Sequence, residues 1–186
     1  MPYDIDVVRG HEVTPEQQDF INYWTHAYFG DVALCKDNKA APVHWRLMLR
    51  NDGEILSQVA ITELDIEIDG RKVTAGSIGG LLTPTHLQGN GHANSLMDRA
   101  EEFIFTDLNL PMGILFCLSE LVTFYARRGW MPVTRPVTLQ QKRGPIEWEA
   151  EVMVLGHREL LNGNLSIHVP NQTKTKSEQE AARGNP

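Results

Sequence analysis

The feature that most constrains this chain is a glycine-rich turn set between an apolar strand and an amphipathic helix. The segment from Gly79 to Arg99 reads GGLLTPTHLQGNGHANSLMDR. The first N–H groups of a helix lack intrahelical acceptors, and the helix dipole is positive at that end. The turn is therefore suited to bind a phosphate or pyrophosphate. The alternative is a tight connection in which the glycines serve turn geometry alone.

Composition limits the class of protein and its partners. The 186 residues are 41% apolar and 22% charged, which favours a compact globular domain. A net charge of −7 argues against a nucleic-acid partner and suits a cationic ligand, although many proteins are this acidic for solubility alone. We expect a cytoplasmic protein without a membrane span, since no long apolar run or leader-like N-terminus is present.

The two cysteines give no sign of a metal or redox site. Cys35 and Cys117 lie far apart and have no spacing typical of metal ligands. We therefore expect two reduced, mostly buried thiols and no metal. His86 and His92 flank the glycine-rich turn, but two histidines without a third ligand predict surface or capping roles instead.

Local signals predict an α/β fold. Thr14-Pro15-Glu16-Gln17 has the form of a capping box with proline at the first helical position, and Gly30 ends that helix. Asn51-Asp52-Gly53 and Asp69-Gly70 predict two tight hairpin turns in a three-stranded meander that ends at the glycine-rich turn. A fully apolar run at 113–118 is typical of a central strand.

The order of elements predicts one domain over residues 1–156. Its core is a mixed, mostly antiparallel sheet of six to seven strands with helices on both faces. Residues 157–186 form a C-terminal extension. Beyond about residue 170 the extension is polar, and we expect it to be disordered.

Two motifs resemble those of the GNAT family of N-acetyltransferases. Gln88-Gly89-Asn90-Gly91-His92-Ala93 is similar to the family's acetyl-CoA motif, Gln/Arg-x-x-Gly-x-Gly/Ala at a helix start. The segment SELVTFYARRGW, from Ser119 to Trp130, is similar to the family's later helix. The two motifs occur in the family's order and spacing. The resemblance implies a GNAT fold, acetyl-CoA as co-substrate and direct acetyl transfer to an amine.

Within that family, the chain resembles aminoglycoside 2′-N-acetyltransferases most. The likeness is carried by AYFGDV (27–32), FYARRGWMPV (124–133) and EAEVMVLG (149–156). It implies 2′-N-acetylation of an aminoglycoside, which is antibiotic resistance by modification, and a kasugamycin-type acetyltransferase would fit. Dimers are common in the family that the chain resembles, and exposed late strands would allow a homodimer.

The resemblance also implies roles for individual residues. It assigns the pyrophosphate of acetyl-CoA to the backbone of the motif and the pantetheine arm to the strand end before it. These cofactor-binding residues are Leu81, Leu82, Thr83, Gln88, Gly89, Asn90, Gly91, His92 and Ala93. It makes the Leu82 N–H an oxyanion donor. Tyr125 is the general acid, because a phenol of pKa about 10 keeps its proton at neutral pH.

The residues expected to bind the acceptor are Asp31, Trp45, Glu149 and Glu151. Asp31 matches the Gly-Asp segment of the similar enzymes and would contact an ammonium group. Trp45 would stack on a sugar ring or a cation. Glu149 and Glu151 alternate on a late strand and would line an acidic cleft. For each of these side chains, an ordinary solvated or core position is the alternative.

The general base has no assigned residue. The similar enzymes keep a Glu where this chain has Gly79. The remaining candidates are Asp31, His44, Glu63 and Glu120.

Two other functions stay open at this stage. In the first, the chain is an acetyltransferase whose acceptor is a different small amine or a protein N-terminus. In the second, the chain binds an acyl-CoA as a sensor without turnover. Gly79 favours the sensor, and Tyr125 favours catalysis.

Overall fold

The computed structural model describes residues 3–31, 41–134, 136–141, 144–156 and 167–169. The main elements are β1 (Asp4–Arg9), α1 (Pro15–Phe29), β2 (Trp45–Asn51), β3 (Glu54–Ile68), β4 (Arg71–Leu82), α2 (His92–Glu102), β5 (Gly113–Cys117), α3 (Val122–Ala126), β6 (Met131–Pro132), β7 (Val137–Gln141), β8 (Gly144–Glu147), β9 (Glu151–Leu155) and β10 (Ile167–Val169). A π-helical segment, Phe103–Asp107, continues α2, and short 3₁₀ turns precede α2 and α3.

The strands form one sheet, and most of its pairings are antiparallel. β1, β2, β3 and β4 pair in sequence as antiparallel neighbours, and β9 lies between β5 and β6. Only β4 with β5 and β7 with β10 pair in parallel among the described strands. The predicted mixed, mostly antiparallel sheet is confirmed. Its six to seven strands correspond to the strands of at least five residues, and β6, β8 and β10 are shorter additions.

The start of α1 and both hairpin turns form as their residues predict. The Thr14 hydroxyl accepts a hydrogen bond from the Gln17 N–H at 3.3 Å, and the Gln17 side chain accepts one from the Thr14 N–H at 2.9 Å. Asp52, Gly53, Asp69 and Gly70 all have positive φ. These conformations match the right-handed twist of the strands that the turns connect.

Helices α1 and α2 cover opposite faces of the sheet, as predicted. Ile21 of α1 packs on Met48 of β2. Leu96 of α2 packs in the cluster that contains Leu47 and Leu49. Because successive strand side chains point to opposite faces, this alternation along β2 places the two helices on either side.

A second apolar cluster closes the far end of the sheet. Leu64 and Ile66 of β3 pack there with Ile114 of β5 and with Val137 and Leu139 of β7. The predicted C-terminal extension contributes β10, which pairs with β3 and β7. The rest of that extension and Cys35 lie outside the described residues, so the disorder expected beyond about residue 170 stays a prediction.

Two glycines permit close packing where β4 meets β5. Gly76 and Gly113 are register partners in the parallel pair. A Cβ on Gly76 would lie 2.6–2.9 Å from side-chain carbons of Ile104, and a Cβ on Gly113 would lie 2.8 Å from the Trp130 ring. Ile104 is fully buried and Trp130 nearly so, which leaves neither side chain room to move.

We therefore predict that Gly76→Ala lowers the free energy of unfolding by about 1–3 kcal/mol, because the added methyl overpacks the core against Ile104. Gly79→Ala is the matched control, since no atom lies within 4 Å of a Cβ built there. It should change stability by no more than about 0.5 kcal/mol. Urea unfolding followed by circular dichroism measures both, and equal stability of the two variants would contradict this packing.

Candidate active site

The candidate site begins where β4 and β5 separate. Their parallel register runs from Gly76 with Gly113 to Ile78 with Leu115 and ends there. The rest of β4 to Leu82 and of β5 to Cys117 extends past this point without pairing between the two strands. The separation leaves backbone groups of β4 on an open strand edge, which is a surface suited to an extended ligand.

A bulge in β4 lies beside this opening. Ala60 of β3 pairs with Gly79, but Gln58 pairs with Leu82, so Gly80 and Leu81 together lie opposite one residue of β3. Gly80 has a φ of +54°, a conformation that favours glycine. The bulge removes backbone groups from the β3 ladder and leaves them available to a ligand.

The side chains of Gln58 and Arg46, which no sequence motif singled out, hold the bulge in place. The Gln58 amide nitrogen donates to the carbonyl of Gly80, and its oxygen accepts from Arg46 at 2.8 Å. Gln58 and its neighbour Ser57 are almost fully buried. Ser57 and Gln58 are neighbouring polar residues within an otherwise apolar strand. Because buried polar groups need hydrogen-bond partners, this pair was the sequence signal for a structural role here.

The end of β4 is tied to α1 and to the glycine-rich turn. The Tyr28 hydroxyl donates to the carbonyl of Thr83 at 2.8 Å. The Gln88 amide donates to the Tyr28 oxygen at 2.9 Å and to the Thr83 carbonyl at 3.1 Å. The carbonyl of Leu82 accepts from Ser57 at 2.9 Å. The carbonyls of Leu82 and Thr83 are thus already bonded, which leaves half-buried Leu81 and the N–H groups as the freer contacts for a ligand.

The glycine-rich turn is exposed and ends at an uncapped helix. Gly89 and Gly91 have φ values of +80° and +82°, and no atom lies within 4 Å of a Cβ built on either. The Asn90 side chain braces the turn by donating to the Leu87 carbonyl at 3.1 Å. Among the described residues, no side chain caps α2 at Gly91, so its first N–H groups have no side-chain acceptor there. This end of α2 can hold an anion.

The motif's last residues turn inward. The His92 side chain is buried, and its ring meets Tyr3 edge-on with 5.4 Å between centroids. Ala93 is half-buried. Both residues therefore offer a ligand only their backbone.

Tyr125 lies in α3 and is 6% exposed. Its ring packs edge-on against Phe124 and Trp130, with centroid distances of 5.0 and 6.3 Å. The hydroxyl makes no hydrogen bond to the described residues. Burial, helped by neighbouring Cys117, raises the pKa of Tyr125 to about 12. The phenol keeps its proton throughout the physiological range.

The later motif fixes α3 against α2. The indole N–H of Trp130 donates to Glu101 at 2.8 Å. Glu101 also accepts two hydrogen bonds from Arg128, each of 2.9 Å. Gly129, with a φ of +89°, ends the helix between these two side chains. The Gly-Trp ending thus positions Tyr125 by locking its helix in place.

Carboxylates surround the end of β5. Cys117 is buried and pairs with Glu151 across the sheet. Burial, then the charges of Glu151 and Glu120, raise the pKa of Cys117 to about 11. The expected reduced, buried thiol is confirmed for this cysteine. Cys117 and Tyr125, with these two carboxylates, therefore lie on the β5 side of the opening.

The structure does not bring Trp45 to the opening. Trp45 packs edge-on against Phe103 at the C-terminal end of α2, with centroids 5.2 Å apart, whereas the glycine-rich turn is at the other end of that helix. The Arg9 guanidinium lies 3.4 Å from the centroid of the Trp45 ring and occupies one of its faces. A stacking role toward a ligand therefore gains no support from this geometry.

Two other residues predicted to bind the acceptor, Glu149 and Asp31, lie on the surface outside regular strands and helices. Glu149 is exposed and precedes β9, which begins at Glu151, so the two do not alternate on one strand as expected. The chain turns here because the Trp148 N–H bonds to the Val137 carbonyl at 2.7 Å. Asp31 is exposed just beyond the end of α1.

Two of the candidate bases lie away from the bulge. Glu63 pairs with Gly76, about 10 Å along β4 from Gly79 at the rise of a strand. His44 is beside it, since its Nδ1 accepts from the Glu63 N–H at 2.9 Å. Glu120 is the candidate whose charge reaches Cys117.

Within the described residues, no group of three or more His, Cys, Asp or Glu side chains is arranged to hold a metal ion. None of the described helices combines the length and apolar character needed to cross a membrane.

Comparison with known proteins identifies the architecture. A family model described as an acetyltransferase (GNAT) domain matches residues 14–133, more than half of the chain. No curated protein sequence matches the chain significantly.

Solved structures share the fold at low sequence identity. Escherichia coli ElaA is 17% identical with a TM-score of 0.61, over 82% of this chain and 99% of ElaA. An acyl-CoA N-acyltransferase from Pseudomonas aeruginosa is 17% identical with a TM-score of 0.59, over 82% and 99%. The GNAT protein YhbS of Escherichia coli, solved in complex with CoA, is 15% identical with a TM-score of 0.60, over 90% and 89%.

The proximity of Glu151 to Cys117 gives a prediction about thiol reactivity. With a pKa of about 11, only about one Cys117 thiol in a thousand is ionised at pH 8. In a Cys35→Ser background, alkylation of the folded protein should therefore be slow. Glu151→Gln removes a charge that disfavours the thiolate, so the pKa should fall and the rate should rise roughly two- to fivefold.

Glu149→Gln is the matched control, because Glu149 has no part in the shift at Cys117. Its alkylation rate with iodoacetamide should equal that of the parent. Equal acceleration in both variants, or in neither, would show that Glu151 does not act on this thiol.

Proposed function

Because this chain belongs to the GNAT family of acetyltransferases, and is thereby an acetyl-CoA-dependent N-acetyltransferase, we propose that it transfers the acetyl group directly to an amine held at the opening between β4 and β5. One observation carries the proposal. The opening has the bulge of β4 on one side, Tyr125 toward the end of β5, and the uncapped glycine-rich turn just beyond the end of β4.

Acetyl-CoA would bind along this path. The N–H groups at residues 88–93 would hold the pyrophosphate, favoured by the dipole of α2. The pantetheine arm would follow the open edge of β4 near Leu81. The CoA complex of YhbS, a protein of the same fold, supports this cofactor. The exposed turn leaves space for phosphates, since a Cβ at Gly89 or Gly91 would meet no protein atom.

The reaction needs an amine, an oxyanion site and an acid. The lone pair of the neutral amine attacks the thioester carbon, and the carbonyl electrons move onto oxygen. N–H groups of the bulge and of adjacent Leu82 would stabilise that charge. Collapse of the intermediate breaks the C–S bond, and Tyr125 donates its proton to the departing thiolate. The proton that the attacking nitrogen loses returns to the phenolate through solvent.

The environment of Tyr125 favours this role. Its pKa of about 12 lies far above physiological pH, so the phenol is protonated before the reaction. The same apolar surroundings disfavour a free thiolate, which increases the benefit of a nearby proton donor. A Tyr125 hydroxyl without a protein partner among the described residues also favours catalysis over a sensor without turnover.

Proton removal from the amine would use Glu120 or Glu151 through water. Both carboxylates act on Cys117 at the end of β5. Gly79 offers no base, but the open space at its Cα leaves room for a water molecule and the amine.

For the acceptor we propose an aminoglycoside-like amine acetylated at its 2′ position. The support is the resemblance of residues 27–32, 124–133 and 149–156 to aminoglycoside 2′-N-acetyltransferases, the net charge of −7, and the carboxylates of Glu120, Glu149 and Glu151 on the β5 and β9 side. Other small amines and protein N-termini are the alternatives.

An acceptor assay tests this proposal. The protein is incubated with acetyl-CoA and a panel of aminoglycosides, monoamines and short peptides, and thiol release is followed. Aminoglycosides should give the highest kcat/KM, and mass spectrometry of the product should place one acetyl group on the 2′ amine. Thiol release with another amine class alone would overturn the aminoglycoside assignment. Tight CoA binding without release for any amine would favour the sensor.

Replacement of Tyr125 separates catalysis from binding. Tyr125→Phe should lower kcat about 10- to 100-fold, because the thiolate then leaves without a proton, while the Kd for acetyl-CoA changes less than about twofold. Tyr23→Phe, a change on an exposed ring of α1, is the control and should leave both constants unaltered.

The pH profile gives a second measurement on the same acid. The rate should rise as the amine loses its proton and then stay level to about pH 10, where a phenol of pKa 12 is still about 99% protonated. An unperturbed tyrosine would be half ionised there. A descending limb near pH 10 that disappears in Tyr125→Phe would contradict the raised pKa.

A further inference from the structure

Arg46 is a partly buried cation with no counter-ion in the part of the chain that the structure describes. It lies on β2 and points to the α1 face, beside Met48. Its hydrogen bond to Gln58 is the only one it makes with a described residue, and no described carboxylate lies within ion-pair distance. Burial alone lowers the pKa of Arg46 from its ordinary value. A buried charge without a partner is unfavourable for the fold, and this points to a ligand.

Other half-buried arginines of the chain show the contrast. Arg50 meets Asp6 and Glu16. Arg99 meets Glu102 and Asp107, and Arg128 meets Asp98 and Glu101. Each of them has two carboxylate partners, which is the usual state for a guanidinium taken partly out of water. Arg46 has none, and two of its three guanidinium nitrogens are left without a hydrogen bond to the described residues.

The guanidinium forms the floor of a groove beside α1. The groove has a volume of about 510 Å³, enough for a small molecule. It is lined by Gln18, Ile21, Asn22, Thr25, His26, Phe29, Gly30 and Arg46. No acidic side chain is among these described residues. The groove on the other side of α1, by contrast, contains Glu16 and Glu54. The Arg46 groove is therefore electrostatically suited to an anion.

Two hydrogen bonds link Arg46 to the bulge at the proposed reaction centre. Arg46 donates to Gln58, and Gln58 donates to the carbonyl of Gly80 in the bulge. Two hydrogen bonds and one amide group therefore separate the guanidinium from the bulge, a span of about 8 Å or less. This span is within the length of a small molecule. The glycine-rich turn lies at the start of α2, which covers the opposite face of the sheet, so Arg46 is not placed to hold the pyrophosphate.

We propose that Arg46 binds an anionic group of the acceptor, so that the acceptor is an amine that also carries a carboxylate or a similar acid. The inference rests on the proposed acetyl transfer and narrows its substrate class. A carboxylate would accept two N–H groups of the guanidinium in a bidentate arrangement. Gln58 would orient the guanidinium and, through Gly80, couple its position to the bulge. An acceptor with several amines is compatible with this subsite if it also bears one acid.

Paired substrates test the subsite. A series of ω-amino acids of increasing chain length is compared with the corresponding ω-amino amides, which differ only in charge at the far end. At the best chain length the acid should exceed the amide in kcat/KM by about tenfold or more. Aminoalkyl phosphonates form a third arm, which separates recognition of a carboxylate from recognition of a phosphoryl group.

Variants of Arg46 test whether a preference for acids over amides depends on its guanidinium. Arg46→Gln should reduce the acid-to-amide ratio to about one and leave the Kd for acetyl-CoA unchanged, and Arg46→Lys should restore part of the ratio. Arg71→Gln, on the exposed start of β4, removes the same charge elsewhere and should keep the full preference. The unfolding midpoint of Arg46→Gln must match that of the wild type or exceed it, as expected when an unpaired buried charge is removed.

The outcomes separate this inference from the acetyl transfer itself. Turnover of acids and amides at equal rates would overturn the Arg46 subsite and leave the acetyl transfer standing. Weaker acetyl-CoA binding in Arg46→Gln would also overturn it, because Arg46 would then serve the cofactor. If no amine is acetylated, the proposed acetyl transfer fails. Thermal-shift titrations in the presence of CoA then decide the subsite alone: stabilisation by the acid and not by the amide, lost in Arg46→Gln, supports it, and no difference overturns it.

Discussion

The interruption of backbone pairing along β4 is the constraint on which the site depends. From Gly76 to Ile78, both edges of the strand are paired, with β3 on one side and β5 on the other. Beyond that residue β5 diverges, and the bulge at Gly80 removes part of the pairing with β3. An unpaired strand would ordinarily be a weak point. Here Gln58 holds the bulge and Tyr28 holds the strand end, so the free backbone groups stay in fixed positions.

The electrostatics of the site are divided between the two faces of the opening. On the β5 side, burial raises the pKa of both the Tyr125 phenol and the Cys117 thiol, and the charges of Glu151 and Glu120 raise that of Cys117 further. On the α1 side, Arg46 contributes a positive charge with no described acid to neutralise it. Such an arrangement distinguishes the two ends of an asymmetric molecule, which is the property that a transferase needs to present one amine.

Local signals in the sequence predicted the parts of the fold that depend on neighbouring residues. The capping box at Thr14 and the hairpin turn at Asp52 form because their partners lie within a few residues. The role of Arg46 could not be predicted in this way, because its contacts cross three strands. The packing of Trp45 could not be predicted for the same reason: its environment is set by Arg9 and Phe103, which are remote in sequence. The family motifs located the turn and Tyr125, whereas the acceptor side depends on tertiary packing that no motif records.

Three of the four glycines of β4 and β5, Gly76, Gly79 and Gly113, differ in how freely they can change over evolutionary time. Gly76 and Gly113 have large side chains pressed against them, so almost any replacement damages the core. Gly79, a few residues further along the same strand, faces empty space and has an ordinary backbone conformation. A lineage of this protein can therefore try new chemical groups at position 79, a carboxylate included, without first acquiring compensating changes in the sheet. Substitutions at position 79 can therefore adapt the proposed reaction centre to new amines, whereas substitutions at Gly76 and Gly113, a few ångströms away, would disrupt the core.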